Sequence, residues 1–151
     1  MADYFTKFSL LVPLPNEAAE KQALELAQKA RSINQDDEPP DNFPTDLCDV
    51  VEDWQFETEA TKGHGLWLHS ENGGIDAACA FIQHLLQQFD PAGHVTLEWS
   101  SDCSKPRTDA YGGGAAFITA TKIKSINTGE WLHKQVAKLK NNPRRQSLAH
   151  H

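Results

Sequence analysis

The chain has 151 residues, of which 39% are apolar and 23% are charged. This length allows one domain with a real hydrophobic core, and this composition excludes disordered and collagen-like chains. The formal net charge of −7 disfavours general nucleic-acid binding. No apolar run approaches the ~18 residues of a membrane span, and the first residues lack the apolar stretch of a secretory signal. We therefore expect an acidic cytoplasmic protein without membrane contact.

The spacing of apolar residues predicts the elements of the first half of the chain. Alternation predicts a first strand over Tyr4–Val12, which Pro13 ends. Asn16 is a typical helix N-cap, and apolar residues three and four apart predict a helix that ends near residue 33. Residues 34–53 predict a long acidic loop that contains one short packed turn around Leu47.

The same signals continue through the second half. A second strand is predicted around Trp54, Phe56 and Thr58, and its hairpin partner over Leu66–Glu71. The further predictions in chain order are a helix over Ile75–Phe89, a strand through Val95, Leu97 and Trp99, a glycine-rich loop, a strand over Ala115–Ile123, and a basic helix over Trp131–Lys140. We expect the terminal helix to bury Trp131, Val136 and Leu139.

This order of elements indicates an α+β protein. The sequence β-α-β-β-α-β predicts an antiparallel sheet with two helices on one face in the split βαβ, ferredoxin-like order, followed by an extra strand and the C-terminal helix. Residues 1–140 then form a single domain that contains the acidic loop, and residues 141–151 form a flexible tail. The predicted core contains Phe8, Leu10, Val12, Leu66, Leu68, Ile82, Leu86, Leu97 and Trp99.

The segment between the last two predicted strands carries the parts of an anion site. Gly112, Gly113 and Gly114 permit positive φ angles and expose amides that form an anion-binding nest. Lys105 and Arg107 supply positive charge nearby, and the arginine grips a phosphate or carboxylate through two bonds. The spacing matches no phosphate-binding motif, so the alternative is a hairpin in which Arg107 pairs with Asp109.

This segment also carries a resemblance. The run C-S-K-P-R-x-D-A-Y-G-G-G-A begins at Cys103 and follows Leu97-Glu98-Trp99 and the strand from Gly65 to Glu71. It resembles small uncharacterised proteins that phages, plasmids and integrated elements encode, over roughly residues 54–131. That family has no assigned activity, so the resemblance transfers no catalytic or binding residue. It implies an origin in a mobile element and a host or defence-related partner.

The candidates for catalysis are few. The cysteines are odd in number and widely spaced, which predicts reduced thiols and no disulfide or zinc framework. Cys103 is a candidate nucleophile beside Lys105, with His64, His69 or His94 as its base, although no spacing fixes a pair. We expect Cys79 to lie in the core and Cys48 to be an isolated loop thiol.

Polar residues are expected on the sheet face that the helices leave open. Trp67, His69 and Glu71 alternate with core leucines, and Glu98 should share their face, as should Glu57 and Glu59. A histidine among carboxylates can hold a divalent metal, but no motif fixes such a geometry, and we predict no metal and no cofactor. His84 is expected on the solvated side of its helix.

The acidic segment is the predicted contact with a partner. Its carboxylates imitate a nucleic-acid backbone and fit a basic groove on another protein, and they are expected on the most mobile part of the free protein. The residues concerned are Asp36, Asp37, Glu38, Asp41, Asp46, Asp49, Glu52 and Asp53. The leading hypothesis is a non-catalytic binding or regulatory module with a protein partner, and the oligomeric state stays open. The alternative is a nucleotide- or phosphate-binding protein, or a small enzyme, that uses Lys105, Arg107 and the glycines.

Overall fold

The computed structural model describes residues 3–33, 38–63 and 65–141. Over these residues the protein is α+β, with one six-stranded antiparallel sheet and four helices. The strands are β1 Tyr4–Val12, β2 Glu57–Ala60, β3 Leu66–Ser70, β4 His94–Cys103, β5 Gly112–Thr119 and β6 Ile123–Asn127, and they lie in the sheet in the order β2-β3-β1-β4-β5-β6. The helices are α1 Glu17–Ser32, α2 Thr45–Cys48, α3 Ile75–Phe89 and α4 Thr128–Lys140. None of the helices in these ranges is long and apolar enough to cross a membrane.

Local chemistry sets where the long helices begin. The side chain of Asn16 accepts a hydrogen bond from the amide of Ala19 and so caps α1, and Asn127 caps α4 through the amide of Glu130 in the same way. Before α3, Gly74 has a φ of 82°, a left-handed conformation that turns the chain sharply into the helix.

The helices α1 and α3 pack against one face of the sheet. The strand register places Phe8, Val12, Leu66, Leu68 and Leu97 on that face, and all five are buried. Every residue of the predicted core lies in this cluster or packs against it, with Leu10 and Trp99 partly buried. The period-two and near-3.6 patterns of the sequence therefore identified the core correctly.

The described part of the predicted acidic loop, residues 38–53, contains the short packed turn expected around Leu47, and more of the segment is packed than the sequence predicted. This stretch forms α2 and a short 3-10 turn over Val51–Asp53, and Phe43 and Leu47 are buried in the core. Trp54 and Phe56 follow outside any strand, although a strand is predicted for them, and their rings stack with centroids 4.8 Å apart. Burial of these apolar side chains offsets the entropic cost of ordering a segment that is rich in like charges.

The end of the sheet differs from the prediction in a second way. The triple glycine begins β5, and the turn at 120–122 separates β5 from β6, so the single strand predicted over Ala115–Ile123 is a hairpin of two. The connection between β4 and β5 shrinks to residues 104–111. The flexible tail predicted for 141–151 lies outside the described residues except for Asn141.

Candidate functional site

The triple glycine does not form the predicted anion-binding nest. Gly112, Gly113 and Gly114 are strand residues, and none has a positive φ. A Cβ atom built on Gly114 would lie 2.2 Å from Cζ2 of Trp99 and 2.5 Å from the carbonyl oxygen of Ile126. The glycines therefore permit a close approach, but the group that approaches is the indole of the neighbouring strand.

Lys105 and Arg107 lie on the exposed connection between β4 and β5. The amide of Arg107 donates to the carbonyl of Lys105 at 2.8 Å, and this hydrogen bond closes a tight turn. A cleft of about 440 Å³ beside the glycines is lined by the carboxylates of Asp102 and Asp109, and neither basic residue lines it. Binding of an anion by this loop stays a prediction, and negative charge borders the adjacent cleft.

The acidic segment divides into carboxylates with partners inside the protein and carboxylates that face solvent. A carboxylate oxygen of Asp53 accepts from the amide of Ala77 at 3.2 Å in the first turn of α3, where the helix dipole favours an anion. Asp46 binds His84 in the middle of the same helix at 2.8 Å. Glu38, Asp41, Asp49 and Glu52 are exposed, and the Asp46 side chain is 45% exposed although it is paired, while Asp36 and Asp37 lie outside the described residues.

His84 is buried, and the prediction of a solvated histidine is wrong. Only 9% of the residue is exposed, because α2 covers the side of α3 that faces away from the sheet. Its Nδ1 lies 2.8 Å from Oδ2 of Asp46. Its Nε2 is buried and has no hydrogen-bond partner among the described residues. The pair holds α2 against α3, and the Asp46 carboxylate orients the ring.

The predicted residues of the open sheet face are brought together only in part. The rings of Trp67 and His69 stack at 3.9 Å, and His69 Nε2 lies 2.8 Å from a carboxylate oxygen of Glu59. Trp67 Nε1 donates to the hydroxyl of Ser9 at 2.8 Å. Glu98 shares this face but lies on β4, which is two strands away from β3. Among the described residues no group of three or more His, Cys, Asp or Glu side chains could hold a metal.

The predicted nucleophile and its predicted bases are not assembled by the described residues. Cys103 ends β4, and His94 begins the same ten-residue strand, so the two are separated by ~30 Å of extended chain. His69 pairs with a carboxylate on β2, and His64 lies outside the described residues.

The other two cysteines have structural surroundings. Cys79 is buried in the core as predicted, and burial, together with the negative charge of Asp76, raises its pKa to about 11. Cys48 lies at the end of α2, where its thiol donates to the carbonyl of Pro44 at 3.4 Å. The high pKa keeps Cys79 protonated and unreactive at neutral pH.

The most unusual surface of the protein is helix α4, which the sequence predicted to be packed. Its large apolar side chains are exposed: Trp131 by 50%, Leu132 by 57%, Val136 by 50% and Leu139 by 44%. No residue of α4 is fully buried. The expected burial of Trp131, Val136 and Leu139 is therefore wrong, and the helix presents its apolar side to solvent.

A groove lies between α4 and the sheet. It measures about 710 Å³, and its walls include Trp131, Leu132, Ile126 and the glycine backbone of β5. It adjoins a second hollow of about 420 Å³ over Phe117, and the two share Glu98, Ala115 and Ile126. We call α4 and these two hollows the α4 surface. The glycines line the first hollow, and a Cβ atom built on Gly112 would lie 2.9 Å from Oγ1 of Thr128, the first residue of α4.

The sequence held one signal for this surface. Trp131 and Leu132 are adjacent, so the apolar side of α4 is broad, and Lys134 and Lys138 stand among its turns. Periodicity identifies such an apolar side but does not say whether it is covered.

Comparisons of the chain with models of protein families, with curated proteins and with solved structures find no match.

Proposed function

We propose that the protein is a non-catalytic protein-binding module that uses the α4 surface. The observation that carries this proposal is a helix with four large apolar side chains, each 44–57% exposed, beside an apolar groove. Contiguous exposed apolar surface is costly in water and is typical of interaction sites. Aromatic residues such as Trp131 are frequent anchors of protein interfaces, where they fill a pocket of the partner.

The charges around the helix define the kind of partner. Lys138 and Lys140 lie in the last turn of α4, and one acid, Glu130, lies in its first turn. A partner that fits this surface presents an apolar patch bordered by carboxylates, because charge complementarity steers association and suppresses wrong partners.

The acidic segment supplies a second, separate surface in this proposal. Glu38, Asp41, Asp49 and Glu52 are exposed next to α2 and the 3-10 turn, whose apolar side chains are anchored in the core. Carboxylates on an ordered scaffold lose less entropy on binding than carboxylates on a mobile loop. This supports contact between the segment and a basic groove of a partner, as the sequence led us to expect.

Three further assignments belong to the proposal. A host or defence-related protein is the class of partner proposed for the acidic segment, and its support is the sequence resemblance around Cys103–Ala115. A cytoplasmic location is supported by the free thiols of Cys48, Cys79 and Cys103. The ferredoxin-like, split βαβ arrangement is proposed for β1 to β4, and its support is their order β2-β3-β1-β4 with antiparallel neighbours.

Affinity capture with matched variants tests the function. The full chain captures its partner from cells that carry the gene, and the affinity is then measured with both proteins purified. We expect Leu132→Lys to weaken binding by at least ~10-fold, as for an interface anchor, and His133→Lys to leave it unchanged. Equal affinities for wild type and Leu132→Lys would contradict the proposed surface, and reduced binding by Asp49→Lys would identify the acidic segment as a further contact.

A further inference from the structure

A hollow of about 350 Å³ lies where the first turns of α3 and α4 approach β6. Ile75 and Ile123 form apolar walls, and the partly buried Trp99 lines the hollow from β4. The hollow adjoins the groove of the α4 surface, with which it shares Trp99, Ile126 and Asn127. Cavities of this size with apolar and aromatic walls and a few polar groups are typical binding sites for small molecules.

Two carboxylates from different helices border this hollow. Asp76 lies in the first turn of α3, and Glu130 lies in the first turn of α4. In the part of the chain that the structure describes, neither carboxylate has a hydrogen bond or an ion pair, and no Lys or Arg lines the hollow. The positive end of each helix dipole favours one acid in its own first turn, but it does not require that the two acids share a hollow. The hollow therefore has two negative charges that no cation of the described chain balances.

The lining of the hollow also contains a buried thiol. Cys79 is 5% exposed, and its thiol forms no hydrogen bond with any described residue. Burial and the charge of Asp76 raise the pKa of this thiol, so it stays neutral and offers a weak S–H donor. The influence of Asp76 on a buried thiol shows that the field of this carboxylate reaches the inner part of the hollow and not only the solvent.

We propose that this hollow binds a small organic cation, which carries an ammonium group on a short apolar body. The two carboxylates neutralise the ammonium group, and the ring of Trp99 attracts it through its π electrons. The isoleucine side chains contact the apolar body. A metal ion is a poorer occupant, because no group of three or more His, Cys, Asp or Glu side chains among the described residues could hold one. This inference goes beyond the proposed function, since it assigns a ligand site beside the α4 surface.

Titration of the purified full chain with n-butylammonium tests the proposal. The indole N–H signal of Trp99, assigned with Trp99→Phe, is followed by nuclear magnetic resonance and should shift until it saturates. The uncharged n-butanol and the anion butyrate should leave the signal in place. Asp76→Asn and Glu130→Gln each remove one charge and keep the shape of the side chain, so each should weaken binding at least ~10-fold. The control Glu25→Gln removes an exposed acid of α1 and should leave the affinity unchanged.

Several results would overturn the proposal. They are a Trp99 signal that does not shift, a shift that n-butanol produces equally well, and wild-type affinity in either Asp76→Asn or Glu130→Gln. If magnesium chloride saturates the signal and n-butylammonium does not, the hollow holds a metal ion and the proposal is wrong. Thermal unfolding without ligand confirms that each variant is folded. None of these measurements involves the partner lost on Leu132→Lys, so the proposed function stands or fails separately.

Discussion

Replacement of Gly114 by alanine tests why β5 begins with three glycines. The new Cβ would lie 2.2 Å from Cζ2 of Trp99 and 2.5 Å from the carbonyl oxygen of Ile126. The indole can shift, but the carbonyl belongs to the paired backbone of β6 and cannot move without loss of the strand ladder. Such overpacking costs about 1–3 kcal/mol. In a chain of this length that cost lowers the melting temperature by roughly 2–12 °C.

Gly129→Ala is the matched control for this substitution. The nearest atom to its new Cβ is the Asn127 side-chain oxygen at 3.6 Å, an ordinary contact, and alanine is favoured over glycine in a helix by up to ~1 kcal/mol. Thermal unfolding followed by circular dichroism should show a lower melting temperature for Gly114→Ala and an equal or higher one for Gly129→Ala. If Gly114→Ala has the same melting temperature as the wild type, the close packing of Trp99 is not the reason for the glycines.

Other predictions concern the core, the buried histidine and the buried thiol. Leu97→Ala should lower the free energy of unfolding by ~2–5 kcal/mol in urea, and an unchanged midpoint would place Leu97 outside the core. Asp46→Ala should lower the free energy of unfolding by ~1–3 kcal/mol, because it leaves the buried ring of His84 without its partner. The control substitution Asp49→Ala should change the free energy of unfolding by no more than ~0.5 kcal/mol. Equal effects of the two substitutions would show that the Asp46–His84 pair is not a stabilising contact. Because burial raises the pKa of Cys79 from 9.0 to about 11, the stability difference between wild type and Cys79→Ala should be constant below pH 9 and should shrink as the pH rises to 11. A difference that stays constant through pH 11 would contradict the raised pKa.

Most of the core could be predicted because it depends on local periodicity. The bounds of α3, Ile75–Phe89, match the prediction, since Gly74 and Asp90 flank a continuous apolar pattern. Strands β1 and β3 were equally clear, because every second residue contributes an apolar side chain to one buried face. These predictions require only that one face of each element is buried, and they do not depend on which element packs against that face.

The features that the sequence did not predict depend on what covers a surface. His84 becomes buried because α2 packs on the outer side of α3, and no local pattern in the sequence of α3 predicts that contact. The glycines of β5 have the composition of a loop, but the indole of Trp99 requires them in a strand. The apolar side of α4 was identified correctly, yet its exposure depends on the direction in which β6 leads into the helix.

Photo-crosslinking from α4 inside living cells tests the central claim most directly, which is that the apolar side of this helix is covered when the protein acts. A photoreactive amino acid is placed at Leu132 or Val136, or at His133 on the other side as the control, and the products are identified by mass spectrometry. We predict protein adducts from Leu132 and Val136 and far weaker adducts from His133. Adducts of equal yield from all three positions, or from none of them, would contradict the claim.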